Sequence, residues 1–387
     1  MHAAIVFAGF VLFAVSYNLF GPLAADIMAS LGMSLSDGGR LVSYQQMGSI
    51  GAILLSYLVL RRMKQRRIVR FGHAAIVVAL ALVAFSSSTT ALYAAYVIIG
   101  VGSFMVDSAS NALLTEQYFE KRSTYIPLLH FCYSAGAIVT GYVLLPFKGP
   151  MWRMAYGATG AAIALILAAS FFTRPKQTGL PHLEEKVEPC KAERGLTLVK
   201  DPAFILYTLV IALYMGSQLL CATWIPVYVE LERNMGATIT ASSLTVFWVG
   251  TAVSRLIVGP LMNHGAKPYR LSMWGMVLAG LSLIGATVTA VPALVLTFTA
   301  LCGFFAGATI PMYLVVAPSW YPHNAAFIST SYIFGGTLGR MVFPYMVTRI
   351  AEGSSLAYSL RLSSILLFIS AILIAIVSRV AKGRAAA

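Results

Sequence analysis

The sequence predicts an all-α membrane protein, with twelve transmembrane helices arranged as two pseudo-symmetric six-helix bundles. Three observations predict it. Of 387 residues, 59% are hydrophobic and 10% are charged, whereas a soluble domain is about a quarter charged. Apolar runs of about 20 residues, the length that crosses a ~30 Å hydrocarbon layer, recur along nearly the whole chain and leave no room for a soluble domain. The basic residues, finally, are sorted into alternate loops.

The sorting explains a formal charge of +14. One set of loops and tails holds Arg61, Arg62, Lys64, Arg66, Arg67, Arg70, Lys121, Arg122, Arg174, Lys176, Lys186, Lys191, Arg194, Lys200, Lys267, Arg270, Arg379, Lys382 and Arg384. The opposite set holds Arg40, Lys148, Arg153, Arg233, Arg349 and Arg361. Cytoplasmic loops are the ones enriched in Lys and Arg, so both termini are expected in the cytoplasm, with an even number of spans in a plasma (inner) membrane. The charge is topology, and nucleic acid is not expected as a partner. The start, Met1-His2-Ala3-Ala4, lacks a basic n-region, so the first run reads as an uncleaved span.

In order, helices are predicted at 3–29, 38–60, 68–87, 91–119, 123–147, 152–173, 203–231, 239–262, 270–290, 293–321, 325–350 and 358–380. Gly21 and Pro22 are expected to bend the first of these. The composition shifts abruptly between Arg174 and Pro202, which are rich in charge, Pro and Gly. That segment, 174–202, is read as a cytoplasmic linker between an N-terminal bundle (1–173) and a C-terminal bundle (203–387). A repeat supports the division. Gly100 and Tyr118 bracket the fourth span and Gly303 and Tyr321 the tenth, and 303 minus 100 and 321 minus 118 both give 203. Ser56-Tyr57-Leu58 and Gly259-Pro260-Leu261 precede basic loops at the same offset. Two six-helix halves related about the membrane normal are the major facilitator architecture.

The fourth span carries the most informative residue. Gly100 to Leu114 is apolar except for Asp107 and its neighbours, and a charge within a bilayer helix costs roughly 2.5 to 3.5 kcal/mol even on lenient insertion scales. At 3.6 residues per turn, Ser103, Asp107, Ser110, Asn111 and Leu114 share a face, which reads as the wall of a polar cavity. Asp107 is then either a proton carrier or a structural carboxylate, capped by helix hydroxyls or paired to an Arg, the membrane-embedded cations Arg255 and Arg340 falling in the other half.

At these residues a resemblance to a known family becomes visible. Over its full length the chain resembles a major facilitator superfamily transporter, and within it the fucose/glucose/galactose proton-symporter branch. The match rests on Asp107-Ser108-Ala109-Ser110-Asn111, on Leu129-His130 with Gly136-Ala137, on Tyr214-Met215-Gly216-Ser217-Gln218 with Trp224, and on Phe247-Trp248-Val249-Gly250 with Arg255 and Gly259-Pro260-Leu261. The chain also departs from that branch. No acid stands near Asn18-Leu19-Phe20-Gly21, Gln218 replaces an acid in the seventh span, and the basic loop signature survives only in part.

The resemblance implies substrate-facing roles. Asn18, Gln45, Gln46 and Asn111 offer amides suited to hydroxylated ligands, with interhelical hydrogen bonding as the plainer reading. His130 either relays protons or satisfies a neighbour. Tyr133, Tyr214, Trp224, Trp248 and Tyr332 either stack on a sugar ring or pack, and Gln218 inherits a ligand position only through the match. Arg255 either contacts substrate or snorkels to the cytoplasmic surface. Arg340 follows Gly335-Gly336-Thr337-Leu338-Gly339, a small-residue run that permits close helix approach. It reads as a salt-bridge partner or a contact for an anionic ligand. Glu116 and Glu120 near Lys121 and Arg122 read as a cytoplasmic gate or surface network, and Glu230 and Glu232 with Arg233 as the opposite rim.

Other chemistry is excluded by spacing. The sequence contains no Gly-x-x-x-x-Gly-Lys-Ser/Thr phosphate cradle, no Gly-x-Ser-x-Gly elbow and no His-Glu-x-x-His. Cys132, Cys190, Cys221 and Cys302 show neither disulfide nor zinc spacing. No cofactor, metal or enzymatic activity is expected. The expected function is secondary transport of a small polar solute, a sugar or polyol, by a monomer that couples it to protons in symport. A proton-coupled exporter of drugs or metabolites, or a non-transporting membrane receptor, are the alternatives.

Overall fold

The computed structural model describes residues 2–58, 63–118, 121–173, 200–307, 309 and 325–385, and every regular element among them is helical. In order these are α1 (Ala3–Tyr17), α2 (Phe20–Leu31), α3 (Leu35–Leu58), α4 (Gln65–Phe85), α5 (Thr89–Gln117), α6 (Arg122–Val143), α7 (Trp152–Phe172), α8 (Pro202–Val227), α9 (Ala237–Asn263), α10 (Pro268–Val288), α11 (Pro292–Gly307), α12 (Ala325–Glu352) and α13 (Leu356–Ala385). Eight of the described helices are long and apolar enough to span a bilayer, and the α1–α2 pair adds a ninth. Most of the 174–202 linker, Glu120, and the end of the tenth span beyond Thr309 lie outside the described residues.

The first span is not one helix. It breaks between Tyr17 and Phe20 and bends by 42°. The break sits one turn before Pro22, because proline has no N–H to offer the carbonyl of residue i−4, here Asn18, and its ring crowds that carbonyl. Within α2, Pro22 falls in the first turn, where a missing N–H costs nothing. The Asn18 side chain closes α1 by donating to the Ala14 carbonyl at 2.8 Å. The fifth span likewise ends early, at Val143, followed by two short 3-10 turns, Leu145–Phe147 and Gly149–Met151. Pro146 and Pro150 stop an α-helix from running on to 147. The seventh ends its α-helix at Val227 and closes with a π turn, Tyr228–Glu232.

Each half packs as its own bundle. In the first, α5 lies against α3 and α4, α4 against α7, and α1 against α6; in the second, α9 lies against α11, α8 against α12 and α13, and α10 against α11 and α13. The repeat reappears as paired backbone contacts. A Cβ on Gly100 would stand 1.8 Å from the Gln45 carbonyl, and one on Gly303 would stand 2.1 Å from the Phe247 carbonyl. A Cβ on Gly48 would meet the Val97 carbonyl at 2.0 Å, and one on Gly250 the Ala300 carbonyl at 2.2 Å. In a bilayer, where helix association gains little from the hydrophobic effect, such small-residue contacts supply the packing. The two halves meet along α3–α12, α6–α9 and α2–α8.

Those meetings concentrate at the pole opposite the termini. Lys148, between α6 and α7, forms an ion pair with Glu230 at the end of α8, and donates to the Pro22 carbonyl at 2.9 Å. The Ser36 amide donates to Glu352 at 2.8 Å, Tyr142 and Ser242 share a hydrogen bond of 2.7 Å, and Thr245 donates to the Ile138 carbonyl at 2.7 Å. Of the expected rim, only Glu230 bridges the halves. Glu232 accepts from the Ala357 amide at 3.1 Å and Arg233 donates to the Thr287 carbonyl at 2.8 Å, so both hold the second bundle together.

Candidate functional site

The polar residues of α5 are set by helix geometry. Ser103 and Ser110 are buried against the first bundle, at 2% and 1% exposure, on the flank that packs on α3 and α4. The accessible stripe is Phe104, Asp107, Ser108, Asn111 and Thr115, rotated from the face expected of the sequence, and it continues to the exposed Glu116 near the pole of the termini. Asn111 donates to the Asp107 main-chain carbonyl at 2.9 Å and to its carboxylate at 3.3 Å. Asp107 is thereby oriented by its own helix.

Around it stand charges from three other helices. Asp107 lies within Coulombic range of His130 on α6 and Arg340 on α12, and His130 is within range of Arg255 on α9. Among the described residues no cation comes within ion-pair distance of Asp107. Arg255 therefore reaches toward the space between the halves, where Tyr214 and Tyr332 also lie within its electrostatic range. Arg340 is carried in by the glycine run: a Cβ on Gly339 would stand 1.8 Å from the Ala212 carbonyl, so α12 rides directly on α8. Its guanidinium donates to Thr337 at 3.3 Å.

The aromatic candidates join the halves. Tyr133 meets Trp248 edge to face with ring centroids 5.8 Å apart, and Asn18 and Tyr17 lie beside Tyr133. Gln46, fully buried, donates to the Tyr17 hydroxyl at 2.9 Å. Tyr17 is a neighbour that sequence reading missed; its place one residue before Asn18, at the break, was the available signal. Gln218 donates to the Tyr214 hydroxyl at 3.0 Å. Gln45 is buried where α3 crosses α5, away from the accessible stripe. Trp224 packs edge to face on Phe20 and touches the α3 backbone near Gly38, within the closed pole. Glu116 makes no ion pair among the described residues.

Among the described residues several buried donors in this region have no partner: Arg255 Nε, Arg340 Nε, Trp248 Nε1 and the Tyr332 hydroxyl. Buried polar atoms are ordinarily satisfied, by protein, water or ligand. Among the described residues this region thus offers unpartnered donors beside one carboxylate, Asp107. A separate groove of about 490 Å³, lined by Lys267, Arg270 and Trp274 among others, lies between α9, α10 and α11 and shares none of these residues. Among the described residues no group of His, Cys, Asp or Glu is arranged to hold a metal ion.

The fold has many known counterparts. The chain is similar to the nucleoside transporter NupG, with a TM-score of 0.74 at 11% identity over 99% of both chains. It is similar also to a bacterial homologue of the human lysosomal transporter Spinster in an inward-facing, unoccupied conformation, with a TM-score of 0.73 at 14% identity over 99% of this chain and 97% of that one. A curated relative, Bypass of stop codon protein 6 of Saccharomyces cerevisiae, is 25% identical over 298 residues, which are 67% of this chain and 58% of the relative's length. The Major Facilitator Superfamily profile matches residues 6–344, from α1 well into α12. That match, along nearly the whole sequence of an all-helical chain, makes this protein a member of the major facilitator superfamily.

Proposed function

We propose that this protein carries a small polar solute across the plasma membrane together with a proton, by alternating access, with Asp107 as the proton carrier and His130 beside it. The carrying observation is the setting of Asp107. It is half-buried, held by Asn111, and within range of His130 and Arg340 on two other helices, yet among the described residues it is paired to no cation. A carboxylate so placed can gain and lose a proton as the cleft changes sides, and its charge is felt by both bundles. The motif similarity at Asp107–Asn111 and Leu129-His130 supports placing the chain nearest the proton-symporter branch, and the amides of Asn111 and Asn18 suit a hydroxylated solute.

The basic loops put the terminal pole in the cytoplasm. The pole closed by Lys148 and Glu230 is then the outer one, and the conformation is inward-facing. In this reading segment 174–202 links two halves that rock about the cleft, and the monomer is the working unit.

The test is Asp107→Asn in proteoliposomes. Proton-driven uphill uptake should disappear while solute exchange at equal concentrations survives, because exchange needs binding and rocking but no net proton movement. Uphill uptake at the wild-type level in this variant removes Asp107 from the role.

A further inference from the structure

We infer that the solute is an organic anion, a small hydroxylated carboxylate, gripped by Arg255 and Arg340. This rests on the transport reading above and names its substrate class. Among the described residues the region holds two guanidinium groups, whose charge is permanent, and one acid, Asp107. Arg340 has that acid within Coulombic range; Arg255 has His130 and two tyrosines but no acid in ion-pair contact among the described residues. A cation within a membrane protein ordinarily finds a counter-charge. The unsatisfied atoms point the same way. Arg255 Nε, Arg340 Nε and Trp248 Nε1 can only donate hydrogen bonds, and the Tyr332 hydroxyl, near both arginines, has no partner among the described residues. Unpartnered donors of this kind fit a ligand that accepts, and a carboxylate accepts through two oxygens in the geometry a guanidinium offers. Trp248 and Arg255 are seven residues apart on α9, two turns along one face, so indole and guanidinium address one ligand.

The arrangement also couples anion to proton. While Asp107 is ionised it competes for Arg340 and repels an incoming carboxylate. Once protonated it no longer competes, and Arg340 is left to the ligand. Each of the two ligands therefore favours binding of the other, as linkage requires, and a monocarboxylate would cross with one proton and no net charge. Of the other groups facing Asp107, His130 and Tyr133 on α6 and Asn111 on its own helix remain to share or orient the proton.

The experiment uses the purified full chain and a matched panel: D-gluconate, D-glucuronate and L-lactate against D-glucose and sorbitol. Melting temperature and equilibrium binding should respond to a carboxylate and not to the neutral compounds, more strongly at acidic than at alkaline pH. Arg255→Gln and Arg340→Gln should each weaken that carboxylate roughly tenfold or more, and Arg255→Lys should recover part of the loss, which separates charge from folding. Stabilisation by neutral members only, by none, or by a carboxylate whose affinity both Gln variants leave intact, overturns the assignment. If D-glucose or sorbitol is driven uphill by a proton gradient in an Asp107-dependent way, proton-coupled transport stands and only the charge of the solute is wrong.

Discussion

Lys148 and Glu230, 82 positions apart in sequence, form an ion pair that ties the first bundle to the second at the pole opposite the termini. Asp26 also approaches the ammonium, at 3.8 Å. The Lys148 and Glu230 side chains are only 15% and 19% exposed, so removing one partner leaves a charge that water solvates poorly.

Glu230→Gln should therefore loosen outer closure by about 2 kcal/mol, roughly 30-fold in the ratio of closed to open. The reporter is a cysteine placed at Ser242, which is buried against Tyr142 in the closed form, in a chain stripped of its own four cysteines. Membrane-impermeant thiol reagent should label it faster in the Glu230→Gln background. Equal rates would mean that the ion pair is incidental to closure.

Gly141→Val tests the same closure sterically. A Cβ at Gly141 would lie 2.4 Å from the Ala241 carbonyl of the opposite bundle, a backbone atom that no rotamer change can move. The variant should fold with a melting temperature close to that of the wild type, because the clash is relieved when the halves part, but it should not complete the transport cycle. Raised outer labelling at Ser242→Cys with loss of uptake is expected, and unchanged labelling would contradict it.

These two contacts mark where sequence reading stopped. Helix number and most helix bounds were legible because the bilayer dictates them: about 20 apolar residues per span leave a plain pattern in Leu, Val, Ile and Ala. The polar exceptions were legible for the same reason, since Asp107, Asn111 and Arg340 stand out only against such a background. Their facing was harder. A turn of 3.6 residues puts Ser103 and Ser110 close to the Asp107 face, yet the neighbouring helices decide that both turn inward while Ser108 stays exposed. The first break fell at Asn18 and not at Gly21, since proline acts on the carbonyl four residues before it. Lys148 with Glu230, and Tyr133 with Trp248, depend on how two bundles dock, and no local pattern encodes that.

Gly100→Ala is expected to act on the fold where Gly141→Val acts on the cycle. Its Cβ would fall 1.8 Å from the Gln45 carbonyl within one bundle, a contact that rocking does not relieve. Destabilisation of about 2 kcal/mol or more is expected, read as a lower melting temperature in detergent. By the internal repeat, Gly303→Ala should do the same through the Phe247 carbonyl at 2.1 Å. A repeat that is only a sequence coincidence would leave one of the two variants at wild-type stability.

Trp248→Phe separates the two uses of one side chain. The ring packs edge to face on Tyr133 across the halves, and phenylalanine keeps an aromatic face there, so the melting temperature should hardly change. The indole N–H, buried without a partner among the described residues, is lost. If it donates to the solute, affinity should fall by about 1 kcal/mol, roughly fivefold, the net worth of one hydrogen bond, with little change in the rate of exchange at saturating solute. Binding measured by calorimetry and exchange measured in proteoliposomes distinguish the outcomes. A drop in stability with unchanged affinity would make Trp248 a packing residue, and the indole would leave the binding site.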